Sequence, residues 1–198
     1  MSNLATSFRF ILAVFVLSAA MDALANGKQP AKYRLSDQIH HVPEILLLDQ
    51  TGAAESFDEL VKRKPRTIIS FIFTSCPGIC PMITANMVRS VPKLESFGEE
   101  FQILLVSVDP EHDTPERLAA YAKRFQAGPE ITFLTGTNDT IFQVLRSLDA
   151  VYEGSNRMNH QPITLIATEQ PNKWRRIDGL VGSDVLIEQY GMLVQNIA

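Results

Sequence analysis

Cysteine is nearly missing from this chain: there are two, Cys76 and Cys80, among 198 residues. Exported domains that rely on disulfides for stability carry more bridges over longer loops. A bridge closing so short a loop restricts the unfolded chain by only about 2 kcal/mol, against roughly 4.7 for a 100-residue loop. The pair is therefore a poor structural staple, and its value is chemical. No Lys/Arg-rich run occurs and the formal net charge is −4, which leaves nucleic-acid binding without support. There is no repeat and no low-complexity segment, and 45% hydrophobic residues suit one domain with a substantial core. Long apolar runs are absent after the first 25 residues, so none of the later chain is expected to span a bilayer.

Those first residues have a character of their own. Arg9 precedes an apolar or small run over residues 10–20, and Ala23-Leu24-Ala25 follows. A charge, a short apolar stretch and an A-x-A site form the pattern of a secretory signal peptide, with the run too short for a spanning helix. Residues 1–25 are expected to be removed, leaving an exported, periplasmic chain that starts at Asn26; an uncleaved membrane anchor is the alternative. Removal takes away Arg9 and Asp22, so the net charge stays at −4. Residues 26–37 are polar and predict a linker, and residues 38–198 predict the folded domain.

Within that domain, residues 67–74 (TIISFIFT) and 101–108 (FQILLVSV) are uncharged, β-branched runs, the pattern of strands buried on both faces. Shorter strands are expected at 44–48, 131–134, 162–167 and 174–178. Helical spacing at Ile83, Met87, Val91 and Leu94 predicts a helix that Pro92 kinks or shortens. Thr114 and Pro115 are expected to open a second, with Thr114 as cap. Further helices are expected at 137–148 and 183–196, and a short one after Ser56. The alternation predicts an α/β fold with a mixed central sheet flanked by helices, and the closing β-β-α makes it thioredoxin-like.

The strand over 67–74 runs straight into Cys76-Pro77-Gly78-Ile79-Cys80-Pro81. Ligands gather beyond the carboxyl ends of strands in such sheets. Pro81 fits a first helical turn, so both sulfurs are expected near a helix N-terminus, which lowers a thiol's pKa; Cys80, the nearer, is expected to feel this most. Thiolates bind soft metals and attack disulfides, and the spacing alone does not separate these roles. A metal needs a third ligand. His160 stands before the strand at 162–167, and in a thioredoxin-like sheet the loop entering that strand faces the turn. Two thiolates with one neutral imidazole carry −2, which Cu(I) brings to −1 and Cu(II) to zero. Zinc in structural sites takes four protein ligands, and three are evident here. Of the other candidates, His40-His41 is expected as a surface pair and His112 as exposed. Met82 and Met87 are expected in core packing, and the acidic run Asp109, Glu111, Asp113 as a helix start rather than a hard-metal site.

Two runs carry a resemblance. The segment from Phe73 to Pro81 (FTSCPGICP) resembles the copper-binding turn of the Sco/SenC proteins, and Val106 to Glu116 (VSVDPEHDTPE) resembles that family's second signature. His160 matches the family's copper-ligand histidine, although its neighbours Asn159 and Gln161 replace the acidic residue and serine common there. The resemblance implies a thioredoxin-like fold and a copper site made by Cys76, Cys80 and His160. It also implies a protein that delivers copper to cytochrome c oxidase outside the cytoplasm, not a turnover enzyme. The alternative is a thiol–disulfide oxidoreductase that keeps a partner's cysteines reduced through a Cys76–Cys80 disulfide. A peroxiredoxin-like peroxidase is a third and weaker reading, because it leaves Cys80 and His160 unexplained.

Overall fold

The computed structural model describes residues 33–151 and 161–195. They form one eight-stranded mixed sheet with five helices. The strands are β1 (Arg34–Ile39), β2 (Leu46–Asp49), β3 (Ala54–Ser56), β4 (Arg66–Ile72), β5 (Phe101–Ser107), β6 (Ile131–Thr135), β7 (Ile163–Ala167) and β8 (Lys173–Asp178). The helices are α1 (Phe57–Lys62), α2 (Ile79–Glu95), α3 (Pro115–Phe125), α4 (Asn138–Ser147) and α5 (Ser183–Gln195). Strand order is β1-β8-β7-β4-β5-β6-β2-β3. The thioredoxin-like expectation of a mixed central sheet flanked by helices is met.

The two uncharged runs lie side by side at the centre. β4 and β5 pair in parallel from Arg66 opposite Phe101 to Ile72 opposite Ser107, and every residue of both is buried. β6 continues the parallel set beyond β5, while β7 joins β4 antiparallel on the other side. Each large apolar side chain here, such as Ile68, Ile69, Ile103 and Leu104, is removed from water and contributes about 1.5–3 kcal/mol. Parallel strands need crossovers, so β4 leaves through α2 and β5 through α3. α2 buries Cys80, Ile83, Thr84, Met87, Ser90 and Leu94 on one helical stripe and packs against β4, β5, α3 and α5.

Three local readings need correction, and one short strand, β3, was not anticipated. β1 occupies Arg34–Ile39 and takes residues 34–37 from the segment expected as a linker. Its sequence, RLSDQI, lacks a strand's apolar alternation; it is held by pairing with β8 and by Asp37, which lies 3.6 Å from Lys173 and bonds Arg175. β3 has only three residues, and β2 reaches it through a turn in which Asp49 Oδ1 accepts from Thr51 N and Ala53 N and Gly52 takes φ +87°. α2 passes through Pro92 to Glu95 without being shortened. Pro92 is exposed, so the carbonyl it leaves without a donor can face water, while Leu94 in the next turn is fully buried and holds the helix in place. Ser56 precedes α1 as expected, but its hydroxyl donates to Asp58 Oδ1 rather than capping the helix backbone.

Candidate metal centre

β4 and β5 end together, with Val108 N donating to Ile72 O at 2.9 Å. Beyond that point the two chains separate and each builds one wall of the site. From β4 the chain turns at once: Cys76 N donates to Phe73 O at 3.2 Å, and α2 begins at Ile79 with Gly78 in the cap position. Cys76 is 5% exposed and Cys80 0%, and both are free thiols. The turn thus brings two sulfurs to the carboxyl end of the central strand, as the spacing predicts.

Their electrostatics are the reverse of the expectation that Cys80 would be the more acidic. Burial pushes the Cys76 thiol up, but the backbone N–H groups of Cys80, Gly78 and Ile79 and the Cys80 thiol bond it, and its pKa ends below that of an ordinary thiol. Cys80 is pushed up to about 12, first by burial and then by its bond to Cys76. The reason is where the helix starts. Cys76 lies ahead of α2, where the first unpaired N–H groups point, whereas Cys80 is already inside the first turn and contributes one of those donors. The result is one thiol that ionises easily beside one that holds its proton.

Behind Cys80 the Thr84 hydroxyl donates to Cys80 O at 3.0 Å and lies 3.4 Å from the Tyr121 hydroxyl. Tyr121 is itself buried in α3, with its phenol pushed up to about 12 by that burial. Side chains from α2 and α3 therefore close the inner wall of the site.

The other wall is the loop from β5 to α3. Asp113 is 0% exposed and collects three donors: Thr74 N at 3.0 Å, the Thr74 hydroxyl, and the Ser107 hydroxyl at 2.6 Å. Ser107 Oγ in turn accepts from Asp109 N at 3.0 Å, and Asp113 N donates to Asp109 O at 2.8 Å. Thr114 caps α3 as expected, its hydroxyl accepting from Arg117 N with Pro115 in the first turn. The acidic run is thus not simply a helix start: Asp113 is a buried clamp. Asp109 lies 2.9 Å from His112 Nδ1, and Glu111 accepts from Asn138 at 2.8 Å. Among the described residues Asp109, Glu111 and His112 bring ligand atoms within 4.8 Å of one another, with Glu111 and His112 exposed.

The remaining sequence candidates divide. His112 is exposed as expected. His40 is not a surface residue: it is buried, 2.8 Å from Gln38 Oε1 and 3.1 Å from Ser147 O, because β1 and the end of α4 enclose it; His41 is exposed. Met87 packs in the core, but Met82 is 51% exposed, since it lies off the buried stripe of α2. His160 and residues 1–25 lie outside the described residues. A cleft of ≈ 480 Å³ opens beside the other end of β4, lined by Pro65, Lys64, Trp174 and their neighbours, and contains neither cysteine. Thr74 and Ser107 were not singled out as site residues by the sequence, and Asp113 was read only as part of an acidic helix start, although both runs that contain them were noted; only the fold shows that the runs touch.

A thioredoxin-like sheet that carries a buried dithiol turn at the carboxyl end of its central strand defines a class of thiol-bearing domains. Residues 34–195 match the SCO1/SenC family, and the chain belongs to it. The human mitochondrial SCO1 homologue is 37% identical over 87 residues, 43% of this chain and 28% of that protein. A Stutzerimonas stutzeri protein named for copper binding is 33% identical over 138 residues, 69% of this chain and 65% of that one. The chain thus spans less than two thirds of the length of these relatives. Among solved structures, copper-bound ScoI of Arabidopsis thaliana aligns with a TM-score of 0.69 at 24% identity, covering 80% of this chain and 99% of that one. BsSco, described as a Sco-family cytochrome c oxidase assembly protein with a disulfide switch, aligns at 0.66 and 25% identity, covering 81% and 96%. Among the described residues no helix is long and apolar enough to cross a membrane.

Proposed function

We propose that this protein is an exported copper-binding assembly factor. Cys76, Cys80 and His160 hold copper as cargo and pass it by ligand exchange to a copper-accepting protein, a subunit of cytochrome c oxidase. The observation that carries this reading is the pair of buried thiols at the strand end, one of them with a depressed pKa. The lowered Cys76 pKa makes a soft thiolate more available to Cu(I) than an ordinary thiol would, and copper displaces the proton of the second thiol on binding. Family membership and the copper named for relatives support the metal. Imidazole serves Cu(I) and Cu(II) alike, which suits a carrier that meets both states. Residues 1–25 act as a cleaved signal peptide, and the product is periplasmic. Mass spectrometry of native material should show a chain starting at Asn26; a membrane-held chain that retains Met1 would refute export by cleavage.

The decisive experiment is copper titration of the reduced protein beside its rate of exchange with a small disulfide, for wild type and for H160A, C76S and C80S. C76S should abolish both activities, and C80S should abolish copper binding and stop exchange at a mixed disulfide on Cys76. H160A should weaken copper strongly and leave exchange nearly unchanged, because exchange needs only the thiols. Unchanged copper affinity in H160A would remove the imidazole from the ligand set.

One observation favours a second reading. An acidic Cys76 beside a protonated Cys80 is the arrangement a thiol–disulfide oxidoreductase uses, one sulfur attacking and the other resolving. The two readings share the site. Oxidation to the Cys76–Cys80 disulfide removes both anionic ligands, so the oxidised protein should not hold copper.

A further inference from the structure

We propose that Asp113 is a positioning residue for the cysteine pair, acting through Thr74 to hold the turn in its open dithiol form. It rests on the reading of Cys76 and Cys80 as a redox-gated copper site, and adds to it what holds that site ready.

The geometry is specific. Thr74 lies two residues before Cys76, where β4 has ended and no strand partner fixes the backbone. Its own N–H and hydroxyl both donate to one carboxylate. That carboxylate is completely buried and is anchored to the sheet by the Ser107 hydroxyl, while its own backbone N–H is tied to Asp109 O. The chain leading into the first cysteine is therefore referenced to the end of β5 rather than to its own helix. All three contacts are donors onto one acceptor group, so together they fix where it sits and what it holds.

A disulfide requires its two Cα atoms to sit within about 4.4–6.8 Å and its Cβ atoms to converge. The two thiols already meet as a hydrogen-bonded pair, and forming the S–S bond at about 2.05 Å draws the sulfurs closer still, a movement that the chain before Cys76 helps to absorb. A rigid tether at Thr74 resists that movement and favours the state in which both sulfurs are free to bind copper. Loosening the tether shifts the balance to the disulfide and leaves the metal site less preorganised.

The test equilibrates each variant with glutathione: the protein disulfide takes two electrons and two protons from two glutathione thiols, giving two protein thiols and one glutathione disulfide. Copper affinity of the reduced form and thermal stability are measured alongside. T74V and S107A each remove one hydroxyl from the same carboxylate, but only Thr74 is joined to the turn. T74V should shift the equilibrium towards disulfide by about fivefold, the equivalent of one net hydrogen bond, with copper binding weakened in parallel. S107A should lower stability to a similar extent and shift the equilibrium less than T74V. D113A, if it folds, should exceed T74V. D113N should stay near wild type: its carbonyl can accept from Thr74 N and Ser107, and its amide can donate to the Thr74 oxygen.

Equal shifts in T74V and S107A would make Asp113 a merely structural residue and overturn the proposal. So would a D113N shift as large as D113A, since charge rather than geometry would then be acting. A wild-type protein that binds no copper while T74V still shifts the glutathione equilibrium would sink the copper reading and leave this inference standing. Copper bound by wild type with no shift in T74V would do the opposite.

Discussion

The central strand has a buried charge at each end, and the two are used differently. At the amino end, Arg66 is 1% exposed. Its guanidinium bonds Glu99 at 3.0 Å and Leu193 O at 3.2 Å, and lies 3.4 Å from Glu169. Those partners come from the chain before β5, from α5 and from the β7–β8 turn, so Arg66 ties distant segments to the sheet. At the carboxyl end, Asp113 is buried as completely, but one of its partners leads directly to Cys76. One charge holds the fold together; the other also holds a reactive turn. A buried ion is costly unless paired, so each end must be fully satisfied, and the same rule produces a staple at one end and a clamp at the other.

Changes at the two ends should therefore separate stability from chemistry. The largest effect belongs to the cysteines: C76S or C80S should eliminate stoichiometric copper binding, read by metal analysis of the reduced protein, and C76S should also eliminate disulfide exchange while C80S halts it at a mixed disulfide. Full copper loading by either variant would place the metal elsewhere. Next, R66A leaves Glu99 without its buried partner and should cost about 3–5 kcal/mol in urea denaturation, while the surviving folded protein keeps its exchange rate. A fall in exchange in proportion to stability would erase the distinction between the ends.

A third, smaller effect sharpens the carboxyl end itself. Because Cys76 titrates below an ordinary thiol and Cys80 near 12, iodoacetamide at pH 8 should modify Cys76 well ahead of Cys80. Peptide mapping that finds Cys80 first would reverse the assignment. The smallest effect lies away from both ends. His40 has its pKa lowered by burial, so the unfolded chain binds the proton more readily. Its contribution is present above the ordinary histidine pKa of about 6.5 and is lost as pH falls through the lower folded value. H40Q should show a shallower loss of stability between pH 7.5 and 5.5 than wild type, and an identical slope would show that His40 does not report on folding.

Much of this was legible without coordinates. The uncharged runs could only be buried central strands, because no charged side chain interrupts them, and β4 and β5 proved to be that pair. Cys-x3-Cys followed by Pro81 required a turn into a helix, since proline lacks the N–H an interior position needs. The Thr114-Pro115 start of α3 was equally local. Each of these depends on residues close in sequence, whose preferences neighbours do not reverse.

Tertiary structure decided the rest, wherever the relevant partner is far along the chain. β1 is a strand because β8 pairs with it, not because RLSDQI prefers to be one. His40 is buried because the end of α4, more than a hundred residues away, closes over it, with the Ser147 carbonyl accepting from its ring. Which thiol is acidic depends on where α2 begins to within one turn, and that start is set by packing the helix against β4 and β5. Asp113 reads in sequence as one more carboxylate before a helix. It becomes a clamp only when parallel pairing of β4 with β5 brings Thr74 beside the β5–α3 loop, and a buried carboxylate then takes the nearest donors it can find.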